Sequence, residues 1–293
     1  MNKITFSLFL WVFVFSCVFG FAQDKGQSVT GKEVTESPSA MYAARVVMVK
    51  DSSRDAFLKC MRGDLKIRQE LKRKGLLSEQ SVFETTSTNI NTPGAPFWNF
   101  LILTRLGATA RSEDFFRAEE QLNKKRKRAN CFDAAGVETR RIEVLRTTPN
   151  SFYPHGTGGQ SRSSEFSARY IVEYIAVQNT TAALDEYRET MRTMLGPVQG
   201  HMIKEGSLLN FIALETVSVK YSQSGMQEWN QIHVRGGNFP EVKMPSPSPG
   251  MDRTLKLLYP NSGGASVVFG RLRAIRTKPR EDFARRLGEL SIR

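Results

Sequence analysis

The chain has 293 residues, a formal net charge of +13 from 42 Lys and Arg against 29 Asp and Glu, and three cysteines. The length suits one large domain or two ordinary ones. The cysteines form no CxxC and no zinc-ligand spacing, which excludes the common metal modules. The positive balance favours anionic partners such as lipid headgroups, polyanions or acidic small molecules, although basic runs also serve simply as solvated surface.

Met1–Lys3 supplies one positive charge, Ile4–Phe21 is almost wholly apolar, and Gly20 and Ala22 are small residues before the polar run Gln23-Asp24-Lys25. That order is the pattern of a secretory signal peptide cleaved near Ala22, and it predicts a periplasmic or secreted protein. An uncleaved anchor is the alternative, because the apolar run is near spanning length. Lipidation at Cys17 is a third, poorly matched by Val14-Phe15-Ser16. No second long apolar run follows, so the cleaved chain is not expected to be an integral membrane protein. Export argues against nucleic acid as a partner. The densest basic run is Lys124-Lys125-Arg126-Lys127-Arg128, the candidate polyanion-binding segment, and the tail from Arg271 to Arg293 is also rich in Arg. Cys60 and Cys131 remain after cleavage as candidates for a disulfide, which an oxidising compartment permits.

In chain order, Val46–Lys50 reads as a strand and Arg54–Lys74 as a helix, with Phe57, Leu58, Met61, Leu65 and Leu71 at helical spacing and Gly75 as its C-terminal stop. Ser81–Asn89 and Phe97–Arg105 read as strands around the turn Asn91-Thr92-Pro93-Gly94. Ser112 caps a helix through Asn123, with Glu113 and Asp114 in its first turn, and Thr139–Thr147 is a last strand. The same order then recurs. Strands are expected at Arg169–Val177, Leu209–Tyr221, Glu228–Arg235 and Gly270–Thr277. A long helix over Thr181–Lys204 should kink at Gly196-Pro197, and a short one lies near Met251–Leu258.

The recurrence is visible in the residues. Gly75, Glu84-Thr85 and Trp98-Asn99 match Gly206, Glu215-Thr216 and Trp229-Asn230 at one constant spacing. Arg141–Pro149 matches Arg271–Pro279 at a spacing one residue shorter, and Ala44-Arg45 matches Ala168-Arg169. The expected organisation is a signal peptide at 1–22, a polar disordered segment at 23–42, one repeat at 43–149, a Gly- and Ser-rich linker at 150–167, a second repeat at 168–280 and a basic tail at 281–293. Each repeat has the order β-α-β-β-α-β, the ferredoxin-like unit. An RNA-recognition module shares that topology, but its third-strand signature is absent. The strands are apolar on both faces, as a sheet covered on both sides requires.

On Trp98-Asn99 and Trp229-Asn230, with the Gly-Leu-Leu and Gly-Ser-Leu-Leu entries to each second strand, the chain resembles a tandem member of the dimeric α+β barrel superfamily. That superfamily includes antibiotic-biosynthesis-monooxygenase-like, EthD-like and NIPSNAP-like proteins. The resemblance implies an α+β fold in which two such units form an intrachain barrel around a cavity. It leaves function open, because members include cofactor-free oxygenases, isomerases, haem enzymes and binders without known activity.

The second copy carries polar groups where the first is apolar. Strand alternation puts Trp229, Gln231 and His233 on one face against Trp98, Phe100 and Ile102, and sets Glu173 opposite Val49. Unpaired burial of such groups costs about 1–3 kcal/mol each. Hence a pocket is expected in copy two, with His233 as the candidate catalytic residue and Trp229, Gln231, Glu173, Glu215, Tyr174 and Trp98 as candidate ligand contacts. The structural alternative is that His233 and Glu173 satisfy each other, and that the repeated Glu84 and Glu215 are architectural. His155 and His201 are too scattered for a metal site. No phosphate loop, dinucleotide fingerprint, hydrolase elbow or HExxH occurs, so no cofactor and no metal are called for. Three functions follow from these features. The first is an exported small-molecule-binding protein. The second is a cofactor-independent oxygenase or isomerase using His233 with a nearby carboxylate. The third is an envelope-surface protein that binds polyanions or serves a structural role. Oligomeric state is left open.

Overall fold

A computed structural model describes residues 39–125, 130–153, 169–239 and 248–292. The expected signal peptide with Cys17 and Ala22, Arg126–Arg128 of the basic run and His155 lie outside the described residues. The elements in chain order are β1 (Met41–Val49), α1 (Arg54–Arg73), β2 (Leu77–Asn91), β3 (Phe100–Leu106), α2 (Ser112–Lys125) and β4 (Val137–Tyr153). Then come β5 (Arg169–Val177), α3 (Thr181–Thr190), a π-helical turn (Met191–Leu195), α4 (Gly196–Lys204), β6 (Asn210–Ser222), β7 (Gln231–Gly237), α5 (Pro249–Leu258), α6 (Gly264–Ile275) and β8 (Arg276–Arg286). No helix among the described residues is long and apolar enough to cross a membrane.

The eight strands close into one barrel in the order β1-β3-β2-β8-β5-β7-β6-β4. Every neighbouring pair is antiparallel. Because side chains alternate along a strand, each strand has an inner and an outer set. Tyr42, Ala44 and Val46 of β1, Tyr170, Val172 and Tyr174 of β5, and Ile232 and Val234 of β7 belong to the inner cluster with Trp98 and Trp229. The intervening residues, such as Val47, Val49, Ile175 and Val177, pack in clusters with the helices. The barrel interior is therefore filled. Trp98, Trp229 and Tyr174 crowd its centre, with ring centroids 4.9–5.4 Å apart. The cavity expected inside the barrel is occupied by these rings.

The recurring residues do equivalent structural work. Gly75 and Gly206 adopt positive φ just past α1 and α4. Behind each, two backbone amides turn back to the last helical turn, Gly75 to Lys72 and Leu76 to Leu71, and Gly206 to Ile203 and Ser207 to Met202. This is the glycine-dependent helix stop. The Asn99 side chain accepts from the Val49 amide and donates to its carbonyl, and Asn230 does the same to Val177. Glu84 is held by Arg54 and Arg285, and Glu215 by Arg188 and Arg146. Burial raises both carboxyls, but their arginines outweigh it and hold them below the usual range.

Two buried ion pairs stack on the two tryptophans. Arg141 pairs with Glu143, donates to the Trp229 carbonyl and lies over that indole at 4.2 Å. Arg280 pairs with Asp282, donates to the Trp98 carbonyl and lies over its ring at 3.8 Å. Glu143 is long enough to accept the Trp229 indole N–H as well, at 2.8 Å. Asp282 is one carbon shorter, and the Trp98 N–H goes instead to the Tyr174 hydroxyl at 3.1 Å.

Three local expectations are corrected. Gly270–Thr277 is not a strand: α6 runs through Ile275 and β8 begins at Arg276. Ala265, Val268 and Leu272 fall at helical spacing and are buried, and that period prevails over the shorter alternation of Leu272 with Ala274. Arg280 and Asp282, not Arg271 and Arg273, thus stand where Arg141 and Glu143 stand. The Asn brackets align Val49 with Val177, which puts Glu173 at the station of Arg45 rather than Val49. Finally, β3 and β7 begin after the Trp-Asn pairs, so Trp98 and Trp229 turn inward while Phe100, Ile102, Gln231 and His233 do not.

The long second-half helix passes through Met191–Leu195 in π geometry before Gly196-Pro197. Pro197 has no N–H to give to the Thr193 carbonyl four residues back. The Tyr259 hydroxyl donates to that carbonyl instead, at 2.7 Å. Cys60 of α1 and Cys131 after α2 are joined as a disulfide with Cα atoms 5.7 Å apart. Asp64 lies 3.1 Å from the Cys131 sulfur, but the two sulfurs are bonded to each other, so neither is a thiolate for a metal.

Candidate functional site

Outside the barrel the two halves differ. On the outer face of the first half, Arg45 of β1 stands between Ile102 of β3 and Ile142 of β4. Arg45 reaches Glu119 of α2, which also binds Arg68 of α1, and the guanidinium lies 3.8 Å from the centre of the Phe132 ring. The layer between strands and helices is thereby reduced to a void of about 20 Å³. In the second half the corresponding row is His233 of β7, Glu173 of β5 and Glu281 of β8, in direct cross-strand register. Here the layer opens into a cavity of about 440 Å³, within the range of small-molecule sites, about 300–1,000 Å³.

Its apolar lining comes from Ile171, Met191, Leu195, Phe211, Met251, Phe269 and Phe283, and its polar lining includes Glu173, His233, Arg235, Arg273, Arg276, Lys278 and Glu281. The π turn contributes Met191 and Leu195. The wider turn changes which side chains face the sheet, and such turns recur at binding sites.

Glu173, 9% exposed, is the hub of the polar wall. Lys278 Nζ lies 2.5 Å from one carboxylate oxygen, Arg235 lies 3.3 Å from the other, and His233 Nδ1 lies 3.9 Å away. Burial raises its pKa, but Arg235, Lys278 and His233 outweigh burial and hold it well below the usual carboxylate range. Lys278 also reaches Glu281 at 2.5 Å, so one ammonium screens two carboxylates that would otherwise repel across the strands.

His233, 4% exposed, has its Nε2 3.0 Å from the Tyr187 hydroxyl. Arg276 donates to that hydroxyl at 3.4 Å, and the Glu173 carboxylate on the Nδ1 side favours the tautomer in which Tyr187 donates to Nε2. The His233 proton then sits on Nδ1 and faces Glu173. Burial pushes the His233 pKa down to about 3, against the pull of Glu173 and with the push of Arg276, Arg235 and Lys278. The imidazole is neutral at neutral pH. Burial likewise raises the Tyr187 phenol to about 12.

Of the residues expected at a pocket, His233 and Glu173 line this cavity. Trp98, Trp229 and Tyr174 lie inside the barrel. Glu215 is buried on the helix-facing side of β6 beneath its two arginines, and Gln231 is fully buried outside the cavity lining with both amide atoms unpartnered. His201 pairs with Glu205 on α4 and is not in the lining. Lys124 and Lys125 end α2, with Lys124 bonded to Glu120. Tyr187, Arg235, Arg276, Lys278 and Glu281 belong to the polar cluster and were not expected from the sequence. The Arg-rich stretch after Arg271 was the available signal, obscured by its reading as a strand.

No protein-family model and no curated protein matches the sequence. Among solved structures, the chain is similar to a DyP-type peroxidase from Mycobacterium smegmatis, with 9% identity, a TM-score of 0.46 and coverage of 86% of this chain and 93% of that one. It is similar to a chlorite dismutase from Candidatus Nitrospira defluvii at 10% identity and TM-score 0.45, covering 86% and 93%. A haem-binding protein from Thermus thermophilus gives 9% identity and TM-score 0.43, covering 88% and 95%. Likenesses this distant carry no chemistry over to this chain.

Proposed function

We propose that the protein is an exported small-molecule-binding protein, and that the second-half cavity between the barrel and its outer helices is the binding site. One observation carries this reading. The same station of the fold is plugged by Arg45, Glu119 and Arg68 in the first half, and is left open over His233, Glu173 and Glu281 in the second. Polar groups there cost stability unless they serve a ligand or each other. The matched work of Gly75 and Gly206, Glu84 and Glu215, and Asn99 and Asn230 supports reading the chain as two copies of one β-α-β-β-α-β unit. In that reading one copy has kept the packing role and the other has been opened. A kinship with the antibiotic-biosynthesis-monooxygenase-like or NIPSNAP-like groups gains nothing further from the cavity.

Haem is the ligand named for one of the similar structures, and the cavity does not suit it as an iron site. His233 is the histidine of the lining, and its Nε2 is bonded to Tyr187 while Nδ1 faces Glu173. Nε2 is therefore not free for a metal, and Nδ1 is turned toward the Glu173 carboxylate. A second reading, cofactor-independent oxygenation or isomerisation, draws on the line of Arg276, Tyr187, His233 and Glu173 beside the cavity. A pKa of about 3 makes His233 a weak base at neutral pH, so binding stands first. Polyanion binding by Lys124–Arg128 rests on charge alone.

A thermal-shift screen of small molecules on the wild type and on Met251→Trp tests the reading. Met251 is buried in the lining, and the larger indole there should intrude on the cavity and obstruct it. Ligands that raise the melting temperature of the wild type should leave the variant unmoved. Equal shifts in both proteins would refute the site.

A further inference from the structure

We infer that the occupant is an amphipathic organic anion, an apolar body ending in one carboxylate or phosphate, with the head held by Arg273 and Arg276. This deepens the binding reading above and rests on it. Four cations line the cavity, and they are not equivalent. Arg235 and Lys278 are engaged by Glu173, and Lys278 by Glu281 as well. Arg273 and Arg276 have no carboxylate partner among the described residues. Arg276 donates to the Tyr187 hydroxyl, and its guanidinium lies 5.5 Å from the centres of the Tyr187 and Phe269 rings. Stacking on two rings orients a guanidinium without neutralising it.

Position separates the two sets of charges. Arg273 is exposed and Arg276 half-buried, whereas Glu173 and Glu281 are buried. An anionic head is therefore drawn to the rim and repelled from the floor. The start of α5 adds to the same preference, because Ser248, its cap, and Met251, in its first turn, both belong to the lining. Beneath the rim, Met191, Leu195, Phe211 and Phe283 offer an apolar wall that a hydrophilic polyanion would leave unused. A neutral apolar ligand would fill that wall but leave Arg276 without a counter-charge.

The experiment is calorimetric titration of the full protein with decanoate, decyl phosphate and decanol. Decanoate and decyl phosphate should bind about tenfold or more tighter than decanol, and the gap should narrow as salt is raised. Arg273→Gln with Arg276→Gln should bring the two anions down to the affinity of decanol and leave decanol unchanged. Decanol binding as tightly as decanoate to the wild type would overturn the anion assignment while leaving the cavity reading intact. So would a double variant that keeps the preference for anions. Binding of all three that Met251→Trp does not disturb would overturn the cavity reading itself. Co-sedimentation with phosphatidylglycerol vesicles, lost in the double variant, would assign the head to a membrane lipid. Decanoate binding without co-sedimentation would assign a free acid.

Discussion

Acid should weaken this fold through one histidine. His233 titrates near 6.5 in an unfolded chain, but burial lowers it to about 3 in the folded protein. Between those values the unfolded state holds one more proton than the native state. The stability tied to His233 is therefore complete above 6.5 and is lost progressively as pH falls toward 3. One proton corresponds to about 1.4 kcal/mol per pH unit. Going down to about pH 5 should thus cost about 2 kcal/mol from this residue alone. Glu173 does not contribute at that pH, because its folded pKa is depressed and its stabilisation is lost only below the ordinary carboxylate value of 4.5. The assay is urea unfolding at about pH 7.5 and about pH 5 for the wild type and His233→Gln. The Gln carbonyl can still accept from Tyr187, so the variant should fold and should lose the pH difference. A variant with the same pH dependence as the wild type would refute a buried neutral His233.

The Arg280–Asp282 pair lies where no water reaches it, with Arg280 fully buried. Arg280→Met should cost about 3–5 kcal/mol by stranding Asp282, and Arg280→Met with Asp282→Leu should recover much of that loss in denaturant titrations. Equal losses in both would show that the charges, not the stranding, matter. The Cys60–Cys131 disulfide closes a loop of 71 residues in sequence separation. In the chain-entropy model that is about 4 kcal/mol of stability, which should disappear when unfolding is measured in reductant. Intact mass of the protein from its own compartment should give a chain beginning at Gln23, and a chain beginning at Met1 would overturn cleavage.

Some of this architecture is legible in residues and some is not, for physical reasons. Gly75 and Gly206 are legible because each answers a local backbone demand that few residues meet, and Asn99 and Asn230 because they recur beside tryptophan at one spacing. Glu84 and Glu215 are legible only as a recurrence, since the helix arginine and strand arginine that bracket each come from distant parts of the chain. The inward turn of Trp98 and Trp229 was not legible. It depends on where the strand begins, and alternation read through the Trp-Asn pair puts the rings on the wrong side. Gly264–Ile275 fits two periods over its last residues, and only the buried Ala265–Val268–Leu272 stripe decides for helix. The side of the sheet that holds the cavity is not legible either, because strands apolar on both faces do not reveal which side is filled. His233 and Glu173 stand out only by contrast with the first half, and their partners Tyr187, Arg276 and Lys278 come from α3 and β8, far from them in sequence.

The most direct measurement is native mass spectrometry of the wild type and Met251→Trp, purified side by side from the organism's own compartment. A small organic anion retained by the wild type and absent from the variant is the expected result. Identical masses for both proteins, allowing for the substitution, would contradict a binding site between the second-half sheet and its helices.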